Sequence, residues 1–396
     1  MSGHHFITLE DSEQAKRVLT GIGADPAGVQ YMIPKSLFRT IKLKKIPCRA
    51  ANLLKQEMLS KGGEAAVCRD TIYGEGETDV LLSGTVKQFG LLLDKLKQQP
   101  FGLKTIAADL EAILNVLEPR PKKVRLTRGR ELELGRRTLI MGILNTTPDS
   151  FSDGGKYLKP EAALEHARQM IADGADIIDV GGASSRPGAE IDGAREEMRR
   201  IIPVVEKLAQ ENVIISIDTF RADVARAALE AGAHLINDIG RLQMDPGLAD
   251  VLAQYQAPVV LMHNRMQFNQ EISYEDLVAD IIVELDESIR QAKQAGLTEE
   301  QIIIDPGIGF GKTQEQNLGI IKNLKSFQSQ GLPILVGASR KRFIGAALEL
   351  PVEERMEGSL AVLVMSIMNG ADIIRVHDVK ESVRAARMTD AVMQNG

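Results

Sequence analysis

The chain has 396 residues, 44% hydrophobic and 26% charged, with a formal net charge of −6. That is ordinary globular composition at a length that asks for about two domains, or one large α/β barrel with an appendage. The negative balance supplies no global basic field for nucleic acid or an anionic membrane surface, and no apolar run is long enough to span a bilayer.

The opening MSGHHFITLEDSEQ lacks the basic start and apolar core of a secretory signal, so no leader is expected. Cys48 and Cys68 form neither a C-x-x-C nor a ligand cluster, which suits a reducing, cytoplasmic setting. Residues 1–118 read as a small α+β unit. LLKQEMLS, VKQFGLLLDKLKQ and LKTIAADLEAILNVL carry helical periodicity, and EAAVC and DVLLSG read as short strands. No nucleophile–base pair or ligand spacing stands out there, so a packing or oligomerisation module is expected. Residues 119–136 form a basic, proline-punctuated junction in which VRL and RELEL flank TRG, the pattern of an entry hairpin.

From residue 137 to 396 the pattern becomes regular. TLIMGILN, ADIIDVGG, VIISID, HLINDI, PVVLMH, IIIDPG, PILVGAS and ADIIRVHD are apolar, β-branched runs separated by amphipathic helical stretches, several of which end in glycine. Strands buried on both faces read as continuous apolar runs, as parallel strands do. Eight such units without a G-x-G-x-x-G turn predict an α/β fold, a closed (β/α)8 TIM barrel, preceded by the small α+β domain.

In such barrels the C-terminal strand ends build the site. Here they carry Asn145, Asp179, Asp218, Asn237, His263, Asp305, Ser339 to Lys341, and Arg375 with His377. Any one Asp or Asn in such a place also serves as a helix cap or turn residue; a ring of them points to ligand chemistry. A carboxylate accepts two parallel hydrogen bonds from an amino-pyrimidinone edge, so Asp218, Asn237 and Asp305 suit a flat heterocycle rich in N–H donors. Lys341, Arg375 and His377 stand where barrels commonly hold phosphate; pairing with Asp378 or Glu349 is the alternative use of those charges.

DPGIGFGKT imitates a Walker A loop, but Pro306 occupies the first glycine position and has no N–H for a phosphate, so triphosphate binding is excluded. Gly307, Gly309 and Gly311 are expected to let backbone approach a ligand, with Phe310 as an apolar wall. NTTPDSFSDGG (145–155) and GGASSRPGAE (181–190) have the composition of lids at the mouth.

Together these residues resemble the dihydropteroate synthase family. MGILNTTPDSFSDGG and GADIIDVGGASSRPG are similar to its first two signatures. SIDTF, LINDIG, VVLMH, DPGIGFGKT, GASRKRFIG and IIRVHDV follow in order, over about residues 124–394. The resemblance implies condensation of 4-aminobenzoate with 6-hydroxymethyl-7,8-dihydropterin pyrophosphate to give 7,8-dihydropteroate and pyrophosphate for folate synthesis. It also implies Mg2+, a homodimer and a sulfonamide target. Carried onto this chain, Asp218, Asn237, Met262, Asp305 and Lys341 would hold the pterin. Asn145, Arg375 and His377 would meet pyrophosphate, with Asn145 on the metal. Phe151, Ser185, Arg186, Pro187, Phe310 and Ser339 would surround the aminobenzoate. Asp153, Arg186, Asp218, Lys341, Arg375 and His377 would carry the catalytic roles: pyrophosphate leaves first, Arg375 and His377 stabilise its charge, and Asp153 and Asp218 stabilise the pterin cation that the arylamine attacks.

The chain departs from the family pattern at Ala183, where Glu is usual, at Ser185 for Thr, and at Thr146 for Val; these bear on loop packing and aminobenzoate affinity. A pterin-binding methyltransferase serving a corrinoid protein shares such a pocket, but needs no pyrophosphate site of the SRK and RVHD kind. A non-catalytic pterin-binding scaffold is the third reading, and the intact motif set argues against it.

Overall fold

The computed structural model describes residues 2–118, 122–146, 160–182, 193–265 and 273–394. The chain divides into two compact units, Met1–Arg120 and Pro121–Gly396.

The first unit runs α1 (Ser12–Gly21), α2 (Pro26–Ser36), β1 (Phe38–Pro47), α3 (Cys48–Ser60), β2 (Glu64–Val67), β3 (Glu77–Thr85), α4 (Val86–Leu96) and α5 (Leu103–Val116). Its antiparallel sheet has the order β1-β3-β2. Leu54, Met58, Val80, Leu82, Phe89 and Leu92 pack its core. Asp11 caps α1 through the Gln14 N–H, and Thr85 with Gln88 forms a reciprocal capping box on α4. The sequence reading did not anticipate α1, α2 or β1. β1 is an edge strand that buries only Ile41 and Leu43 and carries Arg39, Lys42, Lys44 and Lys45, so it reads as a polar stretch.

The second unit opens with a hairpin, β4 (Lys122–Arg125) and β5 (Glu131–Leu134). The barrel follows: β6 (Leu139–Asn145), α6 (Pro160–Ala172), β7 (Ile177–Gly181), α7 (Ala194–Leu208), β8 (Ile214–Asp218), α8 (Ala222–Ala231), β9 (Leu235–Asp238), α9 (Gly247–Tyr255), β10 (Val259–Met262) and α10 (Leu277–Ala295). It continues with β11 (Ile302–Asp305), α11 (Gln314–Lys322), β12 (Leu335–Val336), α12 (Arg342–Leu348), α13 (Met356–Met368), β13 (Ile373–Val376) and α14 (Val379–Gln394). The parallel strands lie in the order β11-β10-β9-β8-β7-β6-β13-β12, and a parallel bridge between Ile304 and Ile334 joins the two end strands, so the sheet closes. α8 and α10 stop at Gly232 and Gly296, whose φ values of 125° and 110° only glycine adopts without strain.

Strand parity decides what each residue faces. Ile178, Val180, Ile215, Ile217, Ile236 and Leu261 pack outward with helix residues in one cluster. Leu139, Ile177, Leu235, Val260, Ile303, Leu335 and Ile373, near the strand starts, cluster inward with Val124, Leu126, Leu132 and Leu134 of the hairpin. The hairpin therefore closes the N-terminal end of the barrel with apolar side chains. Two residues further along, the same parity turns Asp179, Ser216, Asn237, Met262, Asp305 and Arg375 inward, and Asn145 and Asp218 above them. The barrel interior is apolar at the bottom and polar at the top.

Candidate active site

The centre of the polar layer is Arg375. Its Nε donates to Asp179 Oδ2 and its Nη2 to Asp218 Oδ2, both at 2.6 Å. Asn237 Nδ2 donates to the same Asp179 oxygen at 3.0 Å. Asp179 is fully buried, and its Oδ1 has no protein partner among the described residues; nor has the Ser216 hydroxyl. Burial pushes the Asp218 carboxyl up to about 7; Arg375 opposes that and Asp179 adds to it. The outward neighbour of Asn237 is Asp238, whose two oxygens accept from Gly240 N–H at 2.7 Å and Leu242 N–H at 2.6 Å, fixing the loop after β9.

Asp305 ends β11 beside this group. Its Oδ1 accepts the Gly307 N–H at 2.7 Å, and burial raises its carboxyl above the usual range. Lys341 Nζ donates to the Ile308 carbonyl and stands 4.4 Å from the centre of the Phe310 ring. Burial lowers its ammonium to about 8, against the pull of Asp305. Met262 is buried at the end of β10. Asp218, Asn237, Met262, Asp305, Lys341, Phe310 and Arg375 thus gather on one end of the barrel.

Ser339 and His377 meet at the ends of adjacent strands. Ser339 Oγ accepts the His377 backbone N–H at 3.2 Å and lies 3.1 Å from its Nδ1. Asp378, weighed as a partner for the local cations, is taken by Arg340, whose Nε donates to it at 2.9 Å. The Arg375 guanidinium, expected at a phosphate, is engaged by two carboxylates.

Asn145 ends β6. A Cβ placed on Gly181 would lie 3.6 Å from Asn145 Oδ1 and 3.9 Å from Asp218 Oδ2, so glycine keeps that space open between them. Thr146 donates twice to the Gly181 carbonyl, from its N–H at 2.8 Å and its hydroxyl at 3.0 Å, tying the bases of both mouth loops. Among the described residues no group of three or more His, Cys, Asp or Glu side chains could hold a metal. One amide oxygen and a nearby carboxylate fit Mg2+ only with oxygens from a bound phosphate completing the shell. Phe151, Asp153, Ala183, Ser185, Arg186 and Pro187 lie outside the described residues.

Gly307 and Gly309 of DPGIGFGKT allow backbone to pack closely against neighbouring groups. A Cβ on Gly307 would fall 1.8 Å from the His263 carbonyl oxygen, and one on Gly309 would fall 2.8 Å from Lys341 Cδ. The sequence marks Asp179 only as a strand end; its inward parity, and a buried oxygen without a partner among the described residues, make it part of the site. Nor does the sequence single out Lys312, Arg241, Arg265 or Glu284, and it places His263 only as a strand end.

Residues 141–377 match the family described as pterin binding enzyme. The dihydropteroate synthase of Bacillus subtilis (strain 168) is 51% identical over 271 residues, which are 68% of this chain and 94% of that protein. A probable bifunctional folylpolyglutamate synthase/dihydropteroate synthase of Halobacterium salinarum is 39% identical over 386 residues, 97% of this chain and 46% of that protein. Among solved structures, Xanthomonas albilineans dihydropteroate synthase with 4-aminobenzoic acid superposes with a TM-score of 0.65 at 41% identity, over 69% of this chain and 99% of that one.

Proposed function

The chain belongs to the pterin-binding enzyme family, and from that premise we propose that it acts as a dihydropteroate synthase, a transferase joining 6-hydroxymethyl-7,8-dihydropterin pyrophosphate to 4-aminobenzoate. The observation that carries the reading is the inward group of Asp218, Asn237, Asp305 and Lys341 around Arg375 and Asp179, a buried acceptor-rich lining for an N–H-rich ring.

Asp305 accepts from the 2-amino and N3–H edge of the pterin, Asn237 pairs its ring nitrogens, Lys341 reaches its carbonyl, and Met262 packs on its face. Each charge-assisted hydrogen bond contributes roughly 1.5–3 kcal/mol. Two of the Arg375 N–H groups bind Asp179 and Asp218; its remaining donors face pyrophosphate with His377. Asn145 Oδ1, together with oxygens of the pyrophosphate, would hold a Mg2+ ion, which when bound would supply Lewis-acid stabilisation of the leaving group.

The C–O bond to pyrophosphate breaks with both electrons leaving on oxygen. The resulting pterin cation is stabilised by Asp218, with Asp153 from the first mouth loop. The aminobenzoate nitrogen, oriented by Phe310, Ser339, Phe151, Ser185, Arg186 and Pro187, forms the new C–N bond and loses a proton to water. No side-chain nucleophile is required, because the arylamine is the nucleophile and the site supplies proximity and charge. A sulfonamide that mimics the aminobenzoate competes for the same place.

The free Cys48 and Cys68 thiols suit a reducing cytoplasm, and no described helix is long and apolar enough to cross a membrane. The homodimer forms through α13 and α14, which pack side by side and expose Met365, Met368, Met388 and Val392, apolar area that a second copy covers. The test is formation of 7,8-dihydropteroate with stoichiometric pyrophosphate from the two substrates. No product in the presence of Mg2+, Mn2+ or other divalent ions would overturn the proposal.

A further inference from the structure

Behind the ends of β10 and β11 lies a buried set of charges that the condensation does not use. Glu284 projects from α10. Its Oε2 is 3.0 Å from Arg241 Nη1 and 3.2 Å from His263 Nε2, and its Oε1 accepts from Arg265 Nε at 2.7 Å. Burial would raise this carboxyl, but His263 and Arg265 outweigh it and hold it down to about 2. His263 is completely buried and burial lowers it to about 4, so its ring is neutral at physiological pH and has one N–H. Nε2 stands 3.2 Å from Glu284 without a hydrogen bond of good geometry, so the coupling between the two is electrostatic; with the ring hydrogen on Nε2, Nδ1 is an acceptor.

The acceptor is met by Lys312, the lysine of the Walker-like stretch. Lys312 Nζ lies 3.0 Å from His263 Nδ1, 2.8 Å from the Gly307 carbonyl and 3.1 Å from the Phe310 carbonyl. The His263 carbonyl, at 3.4 Å, is a fourth acceptor; burial lowers the amine to about 7, with Asp305 opposing that. The loop that supplies the Gly307 and Phe310 carbonyls has positive φ at Gly307, Gly309 and Gly311, of 69°, 83° and 61°, and Gly309 N–H is held by Asn317 Oδ1 at 2.6 Å. Its backbone is therefore wrapped around its own lysine, while the Phe310 side chain faces Lys341.

We infer that Lys312, oriented by Glu284 through the neutral His263, is a positioning residue that fixes the Gly307–Gly311 loop and so presents Phe310 to the aminobenzoate. The inference rests on the function proposed above and deepens it. Lys312 acts through the carbonyls of the loop, and Glu284 acts through Lys312.

Two readouts test it on the full-length chain. Lys312→Met removes every bond that Nζ donates, and while the amine is protonated each such bond corresponds to about a tenfold factor or more. The expected result is an aminobenzoate KM raised about tenfold or more, with the dihydropterin pyrophosphate KM held within about twofold. Amide exchange of Gly309 and Phe310 in the ligand-free variant should accelerate by a similar factor. Lys312→Gln, which keeps a neutral NH2 group with two donors, should fall between. Glu284→Gln should shift the same KM in the same direction, and the double variant should be no worse than Lys312→Met alone.

Equal rises in both KM values, independent multiplication of the two defects, or unchanged exchange at Gly309 and Phe310 would each overturn the inference. If the wild type makes no dihydropteroate, the functional proposal fails, and the exchange measurement alone then decides the role of Lys312. If Lys312→Met does not fold, Lys312→Gln and Glu284→Gln carry the same comparisons.

Discussion

Arg375→Met removes the guanidinium that pairs with both Asp179 and Asp218 while keeping most of the side-chain volume. In the wild type Asp179 is fully buried and the Asp218 side chain is 9% exposed, with Arg375 at 2.6 Å from each. Without it two carboxylates remain in a dry layer, and stranding buried charge in this way costs about 3–5 kcal/mol. The pH dependence has a definite sign. Asp218 in the folded protein titrates near 7, above its ordinary value of 3.8, so the folded state binds the extra proton between those limits. Its contribution to stability is greatest below the unfolded value and is lost as pH rises through 7. Losing Arg375 raises this carboxyl further, so the variant should lose more stability near pH 8 than near pH 5.5, where a proton on Asp218 offsets the missing positive charge. Urea unfolding followed by circular dichroism at the two pH values measures the difference. Adding Asp218→Asn should restore much of the loss at the higher pH. A loss that is equal at both pH values, or below about 1 kcal/mol at pH 8, would refute the idea that Arg375 acts here as the counter-charge of a buried carboxylate pair.

Asp305→Ala should weaken pterin binding by about a hundredfold or more, since two charge-assisted bonds disappear at once; calorimetry giving wild-type affinity would remove Asp305 from the pterin edge. Met365→Glu with Met388→Glu, at positions 49% and 65% exposed, should yield monomers in sedimentation without a change in thermal midpoint; an unchanged sedimentation coefficient would place any dimer contact elsewhere. The matched B. subtilis relative is almost wholly accounted for by the aligned 271 residues, so deleting residues 1–120 should leave a folded barrel with its turnover intact. An inactive or unfolded fragment would contradict that independence.

Much of this is legible in the sequence. The eight strands announced themselves because strands covered on both faces must be apolar throughout, and the hairpin because a tight turn separates two short alternating runs. Parity along each strand then tells which polar residue points inward. The Asp179 contact with Arg375 was not legible, because it joins residues 196 positions apart and only closure of the barrel brings them together. β1 escaped because an edge strand studded with lysine has little buried surface to mark it. Glu284 escaped because an acidic residue on an amphipathic helix reads as one more solvated charge; its burial is visible only once Arg241, His263 and Arg265 converge on it.

GIGFGKT is the instructive case. A phosphate loop turns its backbone N–H groups inward around an anion. Here Pro306 contributes no N–H, and the Gly307 and Phe310 carbonyls turn inward instead, around the ammonium of Lys312. The glycines are needed in both arrangements for the same reason, positive φ and close backbone contact. Residue types alone therefore do not distinguish the two; the direction of the peptide dipoles does, and that direction turns this loop toward the amine of its own lysine and away from an anion.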